Sequence, residues 1–354
     1  MMNKNLYVDF HVLQTVPPSC INRDDTGSPK TAIYGGVTRA RVSSQAWKHV
    51  IRKEFSKIFS EEQMGKRTKY VIQMVAEEIR RLDETVDAEK AAEKALTNAG
   101  LKFKNAEKGL DALFFMSEEQ ARALAKLAVE GNDNKKEYKE ALAKNPSVDM
   151  VLFGRMVAAD PSLNYDAAVQ VAHAISTHRV QNEYDYFTAV DDCKEDDSAG
   201  AGHLGDVEFN SATLYRYATV NVKEVVKHLG EDTPAVIRGF ADAFIRSMPT
   251  GKQNTFANRT LPNAVYVAVR TDQPVNLSGA FEKPVLSKEG YVGESERRLV
   301  SYARQMYHDY VSEPVLSLAV GEAMQEVAQV TSLQELLDIL ESWVKENGSD
   351  CEVV

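Results

Sequence analysis

The feature that most restricts the fold of this chain is a change in apolar periodicity along its 354 residues. The stretch NLYVDFHVLQTV (residues 5–16) alternates apolar and more polar residues, which is the period of a half-buried strand. From about residue 60 to 180 the pattern is mostly that of amphipathic helices, and beyond residue 222 helical and extended patterns alternate. We therefore predict an α+β fold whose sheet is formed by the two ends of the chain, interrupted by a helical insertion and by a loop between two strands.

Local signals define the element that follows the first long loop. The short strand VTRARV (37–42) leads into a helix that Ser43 or Ser44 caps. The apolar stripe of this helix consists of Trp47, Val50, Ile51, Phe55, Ile58 and Phe59. Lys48 and Arg52 lie one turn apart on the flank of the stripe, so we expect their replacement to change stability little.

Capping signals also mark elements in the middle of the chain. Gly100 ends one predicted helix, and a capping box of Ser117 with Gln120 opens another. The segment NYDAAVQVAHAIS (164–176) is predicted as a further helix, and VEFNSATLYRYATV (207–220) as a strand.

The composition excludes several classes of protein. Cys20, Cys193 and Cys351 form no CxxC pair, so we expect reduced thiols and neither a disulfide framework nor a cysteine zinc site. The N-terminus lacks a signal-peptide pattern, and no window approaches the roughly 18 uninterrupted apolar residues of a membrane span. These features favour a cytoplasmic protein with no membrane partner, and we expect no metal and no cofactor.

Positive charge is concentrated where the strand at 37–42 meets its helix. Residues 39–58 contain six basic side chains and one acid, Glu54, although the formal net charge of the chain is −10. The basic residues are Arg39, Arg41, Lys48, Arg52, Lys53 and Lys57. The first turn of the helix has no acid, which leaves its N–H groups and partial positive charge open to an external anion.

With Arg23 and Lys30 in the neighbouring loop, this junction has the features of a track for phosphate groups. The alternative is an ordinary cationic surface paired with acids elsewhere, and the residues alone leave both open. A second loop, MPTGKQNTFANRT (248–260), is polar and cationic. It either contacts phosphates and base edges or merely connects two elements.

Other motifs do not carry a function. The stretch GAGHLG (200–205) matches GxGxxG, but an acidic run precedes it and a strand pattern follows it, so a nucleotide site is excluded. His173 and His178 are five residues apart, which does not place both on one helix face as metal ligands. The acidic run itself (191–197) is interpreted as a solvated loop.

The stretch PSCINRDD…AIYGGVTRARVSSQAWK (18–48) resembles the N-terminal signature of the type I-E Cascade backbone subunit, the CasC family of CRISPR RNA-binding proteins. Further stretches agree in order along the chain: LFGRM (152–156), QVAHAISTH (170–178), FTAVDD (187–192), GAGHLG (200–205) and MPTGKQNT (248–255). Because these stretches are co-linear and spread over most of the chain, the resemblance is more specific than any short motif.

The resemblance implies a protein shaped like a right hand. An RRM-like (ferredoxin-like) palm comprises 1–59 and 223–354, helical fingers comprise 60–181, and a thumb β-hairpin with its strands comprises 182–222. Copies of the protein stack along the spacer part of the CRISPR RNA together with other Cascade subunits. Each thumb displaces a nucleotide, so the guide pairs with the target DNA strand in short segments while the protein holds the RNA backbone.

The resemblance also implies which residues bind RNA. They are Arg23, Lys30, Ser43, Gln45, Lys48 and Arg52 in the palm, and Lys252, Gln253 and Asn254 in a second palm loop. The charge pattern adds Arg39 and Arg41. No RNP1-like aromatic run is present, so the palm is expected to be RRM-like in topology and not in its mode of binding.

Two further contacts are implied outside the palm. Met156 is a candidate base-packing residue of the fingers, or else a core methionine. His203 and Leu204, at the tip of the loop 193–206, are the candidate wedge between bases.

Two other functions remain open. Related backbone subunits of type III effectors cut target RNA with an aspartate of the palm loop, where this chain has Asp24 and Asp25. The type I-E signature is the better match, and strand cleavage in those systems falls to a separate helicase-nuclease, so we expect a non-catalytic role. The second alternative is a structural protein that oligomerises without nucleic acid.

Overall fold

The computed structural model describes residues 5–103, 109–157, 160–189 and 203–348, with the backbone alone at 203 and 204. The strands are β1 (Tyr7–Ser19), β2 (Thr31–Tyr34), β3 (Val37–Val42), β4 (Lys66–Thr68), β5 (Phe114–Met116), β6 (Val169–Val171), β7 (Ala174–Ser176), β8 (Glu183–Ala189), β9 (His203–Asn221), β10 (Ala264–Arg270), β11 (Leu316–Val320) and β12 (Gln329–Val330). The helices are α1 (Ser44–Phe55), α2 (Val71–Leu82), α3 (Ala88–Asn98), α4 (Glu118–Val129), α5 (Lys135–Ala143), α6 (Val148–Phe153), α7 (Val222–Leu229), α8 (Thr233–Arg246), α9 (Gln253–Phe256), α10 (Val292–Asp309) and α11 (Leu333–Asn347). The predicted α+β class is confirmed.

A ten-stranded sheet dominates the described residues. Its strand order is β12-β11-β10-β1-β9-β7-β3-β2, and β6 and β8 pair with β9 beside this path. All of its pairs are antiparallel except the short parallel pair of β11 with β12. The predicted joining of the two ends of the chain in one sheet is confirmed, since β1 pairs with β10. The centre of this sheet also contains β9, from the middle of the chain, which pairs with the other edge of β1.

The centre of the sheet consists of four strands, and two helices pack on one of its faces. In chain order these six elements are β1, α1, β7, β9, α8 and β10, and the four strands lie in the order β10-β1-β9-β7. Because each neighbouring pair is antiparallel, β1 runs parallel to β7, and β9 runs parallel to β10. The two helices pack on each other and share one apolar cluster with one face of the sheet.

Strand β1 contributes to both faces of the sheet. Val8, Phe10 and Val12 belong to the cluster under α1 and α8. The alternate residues Asp9 and His11 face the other side, where aromatic residues pack with α10. The strand is therefore buried on both faces, and its polar side chains find partners inside the protein: His11 Nδ1 lies 2.8 Å from the Tyr215 hydroxyl, and Asp9 accepts a hydrogen bond from Tyr217.

Because His11 is buried, we predict that the protein loses stability in acid. Burial, with a smaller effect of Arg270, lowers the pKa of His11 from 6.5 to about 3. The unfolded chain takes up this proton below pH 6.5 while the folded protein does not, so the contribution of His11 to stability is full above pH 6.5 and falls as the pH drops towards 3. We expect the free energy of unfolding to lose about 1.4 kcal/mol per pH unit from this residue. Urea unfolding of the wild type and of His11→Phe between pH 6.5 and 4 measures this dependence of the free energy of unfolding on pH.

The comparison with His11→Phe isolates this effect from that of Asp9. Burial raises the pKa of Asp9 to about 6, so its protonation stabilises the folded state as the pH falls below 6. Both proteins contain Asp9, which leaves the difference between their pH profiles to His11. Parallel profiles would contradict the prediction.

The helical insertion has an apolar core of its own. Helices α2, α3, α4 and α5 share a cluster that is separate from the clusters on the sheet. The predicted caps are present: Gly100 has φ +102° after α3, and the side chains of Ser117 and Gln120 form a capping box at α4. None of the helices in the described ranges combines the length and the apolar character needed to span a membrane.

The prediction of a helix over 164–176 is wrong. This segment forms β6 and β7, which pair with β9 in the main sheet, although the predicted fingers extend to residue 181. The spacing of its alanines is helical, but Val169 and Ala174 are buried in the cluster under α1 and α8. Pairing with the free edge of β9 outweighs the weak local preference.

Candidate nucleic-acid interface

The N-terminus of α1 is fixed to the loop that follows β1. Ser43 is the cap, since its hydroxyl accepts the Ala46 N–H at 3.3 Å. Its own N–H donates to Asn22 Oδ1 at 2.8 Å, and Gln45 lies exposed in the first turn, which has no acid. The hydroxyl of Ser43 is thus used in capping, and Asn22 is an anchor that the sequence analysis did not identify.

The second predicted loop lies against the first. A Cβ added at Gly251 would come within 2.4 Å of the Ile21 carbonyl oxygen and 2.8 Å of the Cys20 carbonyl oxygen, so the two backbones touch where only glycine fits. Burial raises the pKa of the Cys20 thiol, and Arg23 and Lys252 both oppose that rise. Glu208 and Asp24 act on the pKa of this thiol in the opposite sense, so the place where the loops meet carries charges of both signs.

Lys252 has a left-handed backbone with φ +51° and precedes the short helix α9, which carries Gln253 and the exposed Asn254. The Phe256 ring of α9 lies 5.7 Å from that of Phe209 on β9. The second loop is thus held by β9 on one side and by residues 20–21 on the other.

Lys30 and Arg41 form a further group of cations with the exposed His173. The Arg41 backbone N–H donates to the Lys30 carbonyl, and its Nη1 lies 3.2 Å from His173 Nδ1. Burial lowers the pKa of His173, and Arg41 and Lys30 lower it further, so both lie near the ring. The sequence analysis examined His173 only as a metal ligand.

Arg39 has to be removed from the predicted track. Its side chain is 0% exposed, and its guanidinium donates to the carbonyl oxygens of Tyr34, Ser176, Phe281 and Glu282. It therefore joins β3 to β7 and to the segment at 281–282. All of its groups that would bind a phosphate are used inside the protein.

Arg52 is also committed to an internal partner. Its Nε donates to Asp149 Oδ2 at 2.6 Å and its Nη2 to the Gly65 carbonyl at 2.6 Å, while the Gly65 N–H donates to Asp149 Oδ1 at 2.9 Å. The Asp149 side chain is 0% exposed and that of Arg52 is 29% exposed. Arg52 neutralises a buried carboxylate, which argues against its predicted contact with RNA and against a small effect of its replacement on stability.

Lys48 remains available to contact an external anion. Its ammonium lies 5.7 Å from the centroid of the Phe153 ring, and burial, with a smaller effect of Arg67, lowers its pKa. In the described ranges no carboxylate pairs with it.

Met156 follows α6 and is 86% exposed, which excludes a core methionine. The preceding residue anchors it. Arg155 is buried and donates to the carbonyl oxygens of Phe115, Leu142 and Leu163, and Gly154, with φ +76°, turns the chain before it.

The predicted thumb is only partly within the described residues. Strands β8 and β9 form an antiparallel hairpin stem, with exposed Tyr184 and Tyr186 on β8. The backbone of His203 and Leu204 lies in β9, paired with β8, and not in a loop tip. Their side chains, and residues 190–202 with most of the predicted wedge loop, lie outside the described residues.

The carboxylate of Asp24 stabilises a local turn. Its Oδ1 accepts the Thr26 N–H, the Thr26 hydroxyl and the Ser28 N–H, and the hydroxyl is the main cause of its lowered pKa. Asp25 is exposed. The described ranges contain no group of three or more His, Cys, Asp or Glu residues that would hold a metal ion. His178 is buried, accepts the Thr213 N–H and stacks on Tyr291.

Chains of this fold occur among solved structures. A chain of a "CRISPR RNA-guided surveillance complex, pre-nicking" is 31% identical with a TM-score of 0.77, over 95% of this chain and 99% of the other. A chain of a "CRISPR RNA-guided surveillance complex" is 29% identical with a TM-score of 0.65, over 96% and 99%. The likeness covers both chains almost completely, so the class is that of the Cascade backbone proteins, and the resemblance found in the sequence is confirmed.

The particular family follows from the sequence. The model of the family described as CT1975-like protein matches residues 8–345, and the chain belongs to this family. A comparison with curated proteins gives no match.

Proposed function

We propose that this protein binds the backbone of the CRISPR RNA spacer as a repeated subunit of a type I-E Cascade complex in antiviral defence. One observation carries the proposal: the loop at 20–30, the second loop at 250–256 and the N-terminus of α1 meet around residues 20–22. This arrangement gathers the exposed Arg23, the half-buried Lys30 and Lys252, and the first N–H groups of α1 from distant parts of an acidic chain. The two similar chains belong to complexes described as CRISPR RNA-guided.

In this function the cations and helix N–H groups hold successive phosphates without reading bases. The contacts are Arg23, Lys30, Arg41, Gln45, Lys48, Lys252, Gln253 and Asn254. Met156 packs against a base from the fingers, and the hairpin of β8 and β9 carries the wedge with His203 and Leu204. The guide then pairs in segments with the target DNA strand, and other copies and other Cascade subunits extend the assembly in the cytoplasm.

The division into palm, fingers and thumb is part of the same proposal. The order β10-β1-β9-β7 with α1 and α8 as crossovers supports an RRM-like palm. The separate core of α2 to α5 supports a fingers unit, and the hairpin of β8 and β9 supports a thumb. We assign to the palm 1–59 and 223–354, together with β6, β7 and the part of β9 that pairs with β1 (210–221). The rest of 60–181 is assigned to the fingers, and the rest of 182–222 to the thumb.

A non-catalytic role follows from the site as we propose it. Asp24 Oδ1 accepts three hydrogen bonds within its own turn, which supports a structural role for this carboxylate. Incubation of the assembled complex with complementary RNA and a divalent metal tests this role, and a cleavage product that Asp24→Ala or Asp25→Ala abolishes would favour the ribonuclease.

We expect RNA binding to depend steeply on salt and not on spacer sequence. Each phosphate contact contributes about 0.7 log units of affinity per log unit of salt for a single strand. Titration of two unrelated spacer RNAs at several salt concentrations measures the slope, and both spacers should bind alike. A flat salt response, or strong preference for one spacer, would contradict the proposed function.

A further inference from the structure

Two polar side chains interrupt the apolar face of the sheet that lies under α1 and α8. Every second residue of β1 from Val8 to Val16 belongs to the apolar cluster on this face, except Gln14. On β9 the same holds from 212 to 220, except Arg216. Both side chains are only 1% exposed. Burial of an amide and a guanidinium costs free energy unless their polar groups find partners, so the contacts of these two residues indicate their role.

Gln14 ties together the two ends of the second loop (248–260). Its Nε2 donates to the Thr260 carbonyl at 2.9 Å and to Met248 Sδ at 3.8 Å. The Thr260 hydroxyl lies 3.3 Å from the same nitrogen and donates to the Thr15 carbonyl at 2.8 Å. The first and the last residue of the loop are thus held by one amide group of β1.

Arg216 determines which way the amide of Gln14 points. Its Nη1 donates to Gln14 Oε1 at 2.6 Å. A guanidinium has only donors, so the amide oxygen must face Arg216 and the amide nitrogen must face the loop. Arg216 also donates to the Phe244 carbonyl near the end of α8, and its guanidinium carbon lies 3.8 Å from the centroid of a Trp47 ring. Because Trp47 is the fourth residue of α1, Arg216 connects the N-terminal part of α1 with the base of the second loop.

The stability of the sheet alone does not explain an arginine at this position. No carboxylate among the described residues pairs with Arg216, and burial lowers its pKa to about 9. A buried charge without a counter-ion costs free energy that an apolar side chain of similar size would avoid. Contacts with the Trp47 and Phe244 rings offset part of this cost. What the arginine adds over an apolar residue is a fixed orientation of the Gln14 amide.

We propose that Gln14 and Arg216 are positioning residues for RNA binding, which hold the base of the second loop in a fixed place beside the N-terminus of α1. Neither residue contacts RNA, since both are buried. They act through Lys252 and its neighbours in the loop, which must lie in register with α1 to hold phosphates of the same strand. The inference rests on the proposed function and adds two interior residues that no sequence motif marked.

The test uses the full chain and a labelled single-stranded RNA of fixed sequence. Arg216→Met removes the group that orients the amide, and Gln14→Glu keeps an acceptor for Arg216 but removes the donor to the loop. Each variant should bind the RNA about tenfold more weakly, the equivalent of one hydrogen bond to a charged group. The salt slope should fall by about 0.7 as Lys252 loses its phosphate. The backbone amides of 253 and 255–257, which donate to carbonyls within the loop, should exchange hydrogen faster in both variants.

Urea unfolding separates positioning from a general loss of stability. Arg216→Met should unfold close to the wild-type midpoint, because removal of an uncompensated buried charge offsets the two lost hydrogen bonds. Val8→Ala is the opposite control, since it leaves a cavity on the same face of β1 roughly 20 Å from Gln14. It should lower stability and leave RNA affinity and exchange of the loop unchanged. Thr260→Val removes the hydroxyl bonds at the loop base and should change the same two readouts to a smaller extent.

Several outcomes would overturn the inference. It is wrong if Arg216→Met and Gln14→Glu bind RNA as the wild type does, or if the loop exchanges no faster in them. It is also wrong if Val8→Ala loses as much affinity as they do, because general stability would then explain the loss. Should one of the two variants not fold, the other decides together with Thr260→Val. A flat salt slope in the wild type overturns the proposed function, while faster exchange in the variants would still show that the pair anchors the loop.

Discussion

Replacement of Arg52 by alanine is expected to lower the free energy of unfolding by about 3 kcal/mol, because it leaves the fully buried Asp149 carboxylate without its cation. The Gly65 N–H would still donate to that carboxylate, but an N–H group carries no full charge with which to neutralise it. The Gly65 carbonyl and the face of Phe115 would also lose a partner. Urea unfolding at neutral pH, followed by circular dichroism, measures the change.

The neighbouring residue provides the control. Lys53 is exposed on the same helix, so Lys53→Ala should change stability by less than about 0.5 kcal/mol. The double variant Arg52→Ala/Asp149→Asn should recover part of the loss, since an amide is cheaper to bury than an unpaired carboxylate. If Arg52→Ala is as stable as Lys53→Ala, the ion pair does not support the junction of α1 with α6.

The Gly251→Ala substitution is expected to cause a large loss of RNA binding. The added methyl group would meet the Ile21 and Cys20 carbonyl oxygens and force the second loop away from the first. Lys252 and Asn254 would then leave the interface, and the salt slope should fall by roughly 0.7, since only Lys252 of the two carries a charge. Fluorescence anisotropy with a spacer RNA at several salt concentrations measures both affinity and slope.

Gly293→Ala is the matched control, because an added Cβ at this position of α10 has no atom within 4 Å. It should bind RNA as the wild type does. Thermal unfolding of both variants checks that the sheet is intact. Wild-type affinity and slope in Gly251→Ala would show that contact between the two loops is not needed for binding.

Much of the local structure was determined by the sequence alone. The alternation in β1 and the capping residues Ser43, Ser117 and Gly100 each act through neighbours within a few positions, so their patterns identify the elements without the rest of the fold. The co-linear stretches likewise predicted the Cascade backbone class, which the family match confirms. The site residues of the two loops were named from the sequence, and their roles stay predictions.

Only the tertiary structure decided which cations remain available. Arg39 and Arg41 lie two residues apart on one face of β3, yet the segment at 281–282 covers Arg39 and takes its hydrogen bonds, while Arg41 faces His173. Lys48 and Arg52 lie one turn apart on α1, yet a carboxylate distant in sequence, Asp149, neutralises Arg52 alone.

The helix prediction for 164–176 failed for the same reason, because the conformation of this segment depends on β9, roughly 40 to 50 residues further along the chain. A sequence pattern records the charge and local preference of each residue. Burial and pairing depend on which distant segment packs against it, and that contact exists only in the folded chain.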